Sequence, residues 1–328
     1  MPALQGLTRP ALAMDLSARL ADRRADVRLK LASAALSVAA EGDVDLARNR
    51  IGMATLSADL LRPAALAPNL VGSGVRLRAR IDGPFARPRI DYRLNAAMLG
   101  FGGTRVEGLA AGGAARIMPG RILIPLRARA ARIAGLGPSL GELLTGVTLD
   151  GQIAVSGARL LADDLRIRAP RIDARAVIAA DLAAGTYRGA LSGRVDRYLV
   201  QGAGLFDLSS DIDLVAPPGG GWALAGRFAA RSVRIDNGAL RDLLAGQTLI
   251  TGRIGYGPTG VATLDRLRLA SPGLTVTDGA GRLQPGGRIE GRAAGLAGRY
   301  GPVTVALSGT LAQPVIRLNA ARPRIGIP

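Results

Sequence analysis

The chain contains no cysteine and no histidine. Without cysteine there is no disulfide framework, no thiolate nucleophile and no zinc-thiolate site. Without histidine the commonest general base and the commonest metal ligand are both missing. Most enzymatic readings fail on these two absences, and no catalytic residue, metal site or cofactor is expected. Aromatic residues make up only 3%, so any interior must be filled by Leu, Ile, Val and Ala, an aliphatic lining with few polar handles. Lysine is nearly absent too: Lys30 is the only one, and the net charge of +18 is otherwise carried by arginine. A surplus of that size implies an anionic partner or surface. The plainer alternative is a GC-rich coding sequence that writes arginine freely, and the arginines are scattered rather than clustered. No run of 18 apolar residues occurs, so no membrane-spanning helix is expected. Met1 to Leu20 lacks the basic and apolar regions of a signal peptide. Both ends read as cut, which suggests a fragment of a longer chain.

What the chain does have is alternation of period two. Hydrophobic residues make up 48% of 328, enough apolar surface for a core. Val75, Leu77, Ala79 and Ile81 point one way while Arg76, Arg78 and Arg80 point the other. Val27, Leu29 and Leu31 alternate with Asp26, Arg28 and Lys30, and Ile122, Ile124 and Leu126 face away from Arg121 and Arg127. Leu208, Ile212 and Leu214 alternate with Asp207, Asp211 and Asp213, and Val303, Val305 and Leu307 with Thr304 and Ser308. Each stretch reads as a strand with one apolar and one wet face. Turn signals separate them at Gly42-Asp43, Asp150-Gly151, Pro217 to Gly221, Asp278-Gly279 and Gln284 to Gly287. The rhythm predicts an antiparallel meander of about twenty strands. Two short helices are expected, one capped by Ser139 with Glu142 and ended by Gly146, the other capped by Asn237 and running Ala239 to Ala245.

Those helices open an internal repeat. Leu144, Gly146 and Thr148-Leu149 match Leu244, Gly246 and Thr248-Leu249, and Leu165-Arg166 with Pro170 matches Leu267-Arg268 with Pro272. A second echo pairs Gly83 to Ile90 with Gly309 to Ile316 in the pattern G-x-[FL]-A-x-P-x-I. Repeats of this kind argue for a stacked, quasi-one-dimensional architecture. The divisions they suggest are a repeated-strand region over 1–136 and helix-led β repeats over 137–236 and 237–328, in one continuous sheet.

Several catalytic or binding patterns occur and are better read structurally. Gly137 to Gly141 fits the nucleophile-elbow pattern G-x-S-x-G, but no histidine exists to serve Ser139, which reads as a helix cap. Gly255 to Gly260 fits G-x-G-x-x-G, yet a strand rather than a helix follows it, so a hairpin turn is expected. Asp207, Asp211 and Asp213 lack the loop of a calcium site and suit cross-strand pairing with arginine. Asp163-Asp164 reads as an exposed turn. Nucleic acid is not expected as a partner, because the few aromatics are scattered and form no stacking platform.

The segments Ile81 to Ile90 and Leu307 to Leu318 resemble a phrase of the TamB/AsmA-like envelope proteins: a strand ending in a small residue and Gly, a short link, then Pro opening the next strand. The resemblance implies a mostly β fold, a long curled antiparallel sheet (a β-taco or half-pipe) with a hydrophobic inner groove. It also implies inter-membrane phospholipid transport and outer-membrane biogenesis. The expected location is the periplasm, anchored to the inner membrane through a segment absent from this chain. The expected partners are phospholipid acyl chains, the inner and outer membranes, and an outer-membrane barrel protein. The residues support a groove independently, since a sheet with one apolar face and no second layer must curl to hide it. Candidate groove-lining residues are Val75, Leu77, Ile81, Ile122, Ile124, Leu126, Leu208, Ile212, Leu214, Val303, Val305 and Leu307. Two other readings stay open: a structural β-solenoid stalk or secreted passenger with its apolar face packed shut, and a cationic binder of polyanions.

Overall fold

A computed structural model of the protein describes residues 12–65, 70–101, 104–135, 144–181, 186–200, 204–215, 223–236, 238–241, 244, 246–257, 259–310 and 313–320. The fold is an antiparallel β-sheet of 21 strands. The chain divides into two units, the first formed by Met1–Pro170 with Ala179–Ala184 and the second by Arg171–Ile178 with Gly185–Pro328.

The first unit holds β1 (Ala13–Ala21), β2 (Arg24–Ala32), β3 (Leu36–Asp45), β4 (Arg50–Leu60), β5 (Leu70–Ser73), β6 (Val75–Pro84), β7 (Arg89–Phe101), β8 (Thr104–Met118), β9 (Arg121–Ala134), β10 (Thr145–Ser156) and β11 (Arg159–Ala169). Each pairs with its sequence neighbour except at β5 and β6, which lie end to end along β7 and are parted by Gly74 at φ +60°. Among the described strands β1 pairs only with β2, so the ladder begins at an open edge. β12 (Ile172–Asp181) is divided between the units.

The second unit continues with β13 (Thr186–Val200), β14 (Gly204–Val215), β15 (Ala223–Ile235), β16 (Leu249–Tyr256), β17 (Ala262–Ala270), β18 (Thr275–Leu283), β19 (Ile289–Ala297), β20 (Gly301–Gly309) and β21 (Pro314–Ala320). From β13 onward every strand pairs antiparallel with the next. The expected hairpin after β16 is present: the Gly257 N–H donates to Val261 and the Gly260 N–H to Gly257.

The glycine of the echoed motif takes the same conformation in both copies. Gly83 and Gly309 close β6 and β20 at φ +104° and +96°, a region open to glycine, and β7 and β21 follow. The two expected helices fare differently. The first falls mostly on residues outside those described, and Gly146, expected to end it, lies within β10 instead. The second is a single turn, α1 (Gly238–Arg241), much shorter than its sequence pattern. The chain instead turns Leu244 into the sheet, where it is 6% exposed, and the Thr248 hydroxyl donates to its carbonyl at 3.0 Å.

Four expected turns are strand interiors. Gly42-Asp43 lies within β3, Asp150-Gly151 within β10 and Asp278-Gly279 within β18, and Asp163-Asp164 lies within β11. The reason is crowding rather than chain reversal. A Cβ on Gly42 would come within 2.5 Å of the Ala54 Cβ, and one on Gly151 within 2.6 Å of the Asp164 carbonyl oxygen. One on Gly279 would sit 3.1 Å from the Leu267 Cβ. A regular pair keeps facing Cβ atoms about 4.5–5.5 Å apart, so at these rows the strands close up on the glycine side. Of the turns in the sequence reading, Gln284 to Gly287 is one, with the Gly287 N–H donating to Gln284 at 3.0 Å.

Filling such a row forces the neighbouring strand away. Gly151→Val should destabilise the protein by about 1–3 kcal/mol, read as a lower midpoint in urea. Gly257→Ala, at a position with no neighbour within 4 Å, should stay within about 0.5 kcal/mol.

Candidate functional site

Residues paired across antiparallel strands point to the same face, so the register shows which side chains meet. In the first unit one row runs Leu29–Ala40–Leu56–Ala79–Tyr92–Gly113, with large and small residues alternating from strand to strand. The next row on the same face runs Leu31–Val38–Ala58–Leu77–Leu94–Ala111–Ala128–Leu149. Val75 and Ile81 each lie two residues from Leu77 and Ala79 respectively along the same face, paired with Leu60 and Ala54. Leu126, Ile124 and Ile122 continue the side of Ala128 and face Gly151, Ile153 and Val155. All six candidates of this unit therefore share one apolar face.

The second unit repeats the arrangement. Ile212 connects to Leu307 through the row Ile212–Gly226–Ile254–Leu264–Gly281–Gly291–Leu307. Leu208 connects to Val303 through Ala230, Ile250, Leu269, Val276 and Gly295. Leu214 and Val305 sit on the same side, opposite Leu224 and Ala293.

Burial divides these candidates. Val303 is 2% exposed, packed with Leu244, Leu274, Val276 and Ala297, and so belongs to a closed cluster at one end of the face. Ile122 is 36% exposed, and the other ten are half-buried. Of the sixteen buried hydrophobic residues among those described, eight are alanine. The large aliphatics of the face are therefore neither sealed in a core nor left fully in water. Sequence reasoning had no signal for Tyr92 or for the small residues that alternate with the large ones, because both depend on register.

Tyr92 bridges this face. Its hydroxyl donates to the Pro125 carbonyl at 2.9 Å, and its ring lies where a Cβ on Gly113 would be, 3.2 Å from that position. Covering a glycine with an aromatic ring across strands pins the register. Burial pushes the Tyr92 phenol above its ordinary value of 10.0.

The opposite face is charged, and part of it is paired across strands by register. Asp59 faces Arg76 at 2.6 Å and Asp211 faces Arg227 at 3.4 Å, the cross-strand pairing expected for the aspartates of β14. Asp207 does something else: it accepts the Arg197 N–H at 2.9 Å beside a β-bulge, and Asp43 accepts the Met53 N–H at 3.0 Å beside another. The hydrogen bond from Arg234 holds the Asp236 carboxyl below its ordinary range. Among the described residues no group of three or more acidic side chains is placed to hold a metal ion, and no helix is long and apolar enough to cross a membrane.

Compared with protein families, curated proteins and solved structures, the chain matches none.

A phenol whose pKa is raised in the folded protein favours folding below its unfolded value and weakens it as pH rises beyond. Stability should therefore fall above pH 10, when the unfolded phenol ionises and the folded one resists. Tyr92→Phe should lose about 0.5–1.5 kcal/mol at neutral pH and flatten that alkaline decline, as urea denaturation at several pH values would show.

Proposed function

We propose that the protein is a non-enzymatic lipid-binding element that carries phospholipid acyl chains along the apolar face of its strands. The single observation that carries this reading is the one-sided apolar face of each unit, whose large aliphatics are half-buried and, among the described residues, covered by no second layer. Completing the burial of one such side chain is worth part of about 1.5–3 kcal/mol, and an acyl chain gains about 0.8 kcal/mol per methylene against the same surface. The face offers aliphatic contacts of similar strength from row to row, which suits a chain that slides. The resemblance to TamB/AsmA-like proteins points the same way. It extends the proposal to phospholipid movement between inner and outer membranes and to outer-membrane biogenesis in the periplasm. On that reading the chain is held at the inner membrane by a segment outside it and acts with an outer-membrane barrel protein.

The packed cluster around Val303 and Leu244 favours a second reading, a structural β-stalk whose apolar face is shut. The two readings part on one experiment. Purified protein should carry phospholipid detectable by native mass spectrometry, and Ile124→Asp should reduce it at least tenfold while the thermal midpoint stays within a few degrees. Lipid-free wild-type protein, or global unfolding of the variant, favours the stalk.

A further inference from the structure

We infer that the free edge of β1 pairs with β1 of a second copy of this chain, the two strands running antiparallel about a two-fold axis through Ser17. This goes beyond the acyl-chain reading and stands whether or not the apolar face carries lipid.

Edge strands of sheets are ordinarily blunted by lysine, proline, a bulge or shortness. β1 has none of these. It is nine residues long, Ala-Met-Asp-Leu-Ser-Ala-Arg-Leu-Ala, and its register to β2 is unbroken. All of it is exposed, with Met14, Leu16 and Leu20 at 62%, 58% and 70%. Register puts these three on the apolar face, opposite Leu31, Leu29 and Ala25 of β2. Those partners have a strand on either side and are half-buried. What β1 lacks is its second neighbour.

The hairpin fixes which backbone groups the edge offers. Asp22 and Arg23 make a two-residue turn at φ +48° and +59°, so Ala21 and Arg24 are a hydrogen-bonded pair. The Leu46 N–H donates to the Arg23 carbonyl at 2.9 Å, which turns Arg23 toward β3 and leaves Arg24 for β1. The odd-numbered residues of β1 therefore direct their N–H and C=O groups to β2. Met14, Leu16, Ala18 and Leu20 present theirs to the open edge.

The sequence of β1 is self-complementary about Ser17. Antiparallel pairing there opposes Asp15 with Arg19 of the second copy, twice by symmetry. Leu16 meets Ala18, Met14 meets Leu20, and Ala13 meets Ala21. Even positions face even positions, so every N–H and C=O on the edge finds a partner. On the charged side the row becomes Asp26–Arg19–Asp15–Lys30, the last two from the second copy, with signs alternating throughout. On the apolar side it becomes Leu29–Leu16–Ala18–Val27, large beside small as in the rows further in. A two-fold axis perpendicular to the sheet keeps both apolar faces on one side.

Other pairings fit less well. Centring on Leu16 or Ala18 sets Asp15 against Ser17 or Ala21, and a one-residue slip sets apolar against charged positions. The edge strand β21 centred on itself would oppose Arg317 with Arg317. Against β1 it can offer Arg317 to Asp15, but then Arg19 lies past its end and Ala18 meets Pro314, which has no N–H to give.

The test is sedimentation velocity of the full chain over a dilution series, which should show monomer and dimer in exchange and nothing larger. Ala18→Pro removes an outward N–H and leaves the pairing with β2 intact. It should weaken association roughly tenfold or more with the thermal midpoint unchanged. Asp15→Arg, which opposes like charges at both symmetric places, should weaken it by a similar factor. The chain has no cysteine, so one introduced thiol reads the register. The two Ser17 residues form a non-hydrogen-bonded pair with Cα atoms about 4.5 Å apart, within the span of about 4.4–6.8 Å that a disulfide bridges. Ser17→Cys should therefore give a linked dimer on mild oxidation. Ala13→Cys should not link to itself, yet should link to Ala21→Cys when the two variants are mixed. A monomer at every concentration would overturn the proposal, as would equal linking of Ser17→Cys and Ala13→Cys. Open-ended assemblies in which Ser17→Cys fails to link would overturn it in favour of β21 as the partner. The phospholipid content of the purified protein should be unchanged by Ala18→Pro, so failure here and failure of the acyl-chain reading are distinguishable.

Discussion

Everything in this protein depends on how one layer of strands hides its apolar side. Most domains solve the problem by stacking a second layer on the first. Here each strand relies on its two lateral neighbours, and the large side chains along Leu29–Ala40–Leu56–Ala79–Tyr92 are shielded mainly by each other. The alternation of large and small residues across that row follows from the same need. Where strands close up toward one side, two leucines cannot stand shoulder to shoulder, and an alanine or glycine between them lets the large ones meet. The glycines at 42, 113, 151 and 226 do this at successive places, each so close to a neighbouring strand that a Cβ would overlap it.

The two faces thus do separate work under one backbone register. The apolar face collects aliphatic surface, and the charged face sorts its arginines into those neutralised by a cross-strand aspartate and those left without one. Because both patterns are read from the same hydrogen-bonded ladder, a one-residue slip of any strand would exchange them. Tyr92 over Gly113 and the aspartates that cap bulge amides at Arg197 and Met53 act against such slips.

Much of this was legible in the sequence, and the illegible parts share a cause. Val75-x-Leu77-x-Ala79-x-Ile81 announces a strand and its faces without help, and the G-x-[FL]-A-x-P-x-I echo marks the same strand break twice. Glycine beside a polar or turn-forming residue, however, carries the same local signal whether the chain reverses, as at Gln284 to Gly287, or is merely squeezed, as at Gly42 and Gly279. Deciding between them needs the neighbouring strand. The row joining Leu31 to Leu149 spans more than one hundred positions and exists only through register. Val303 reads as another groove residue until Leu244, from a segment whose sequence promised a longer helix, packs against its cluster.

The plain meander has one more consequence. Among the described strands, apart from β5 and β6, each strand of a unit is hydrogen-bonded only to those before and after it. A whole hairpin could therefore be removed or duplicated without breaking any pairing elsewhere, changing the ladder by two spacings, about 9.6 Å. The removal of one strand alone would reverse the direction of all that follow. Evolution can thus lengthen such a ladder in steps of two strands, and the reach of the protein becomes a heritable length set by counting hairpins.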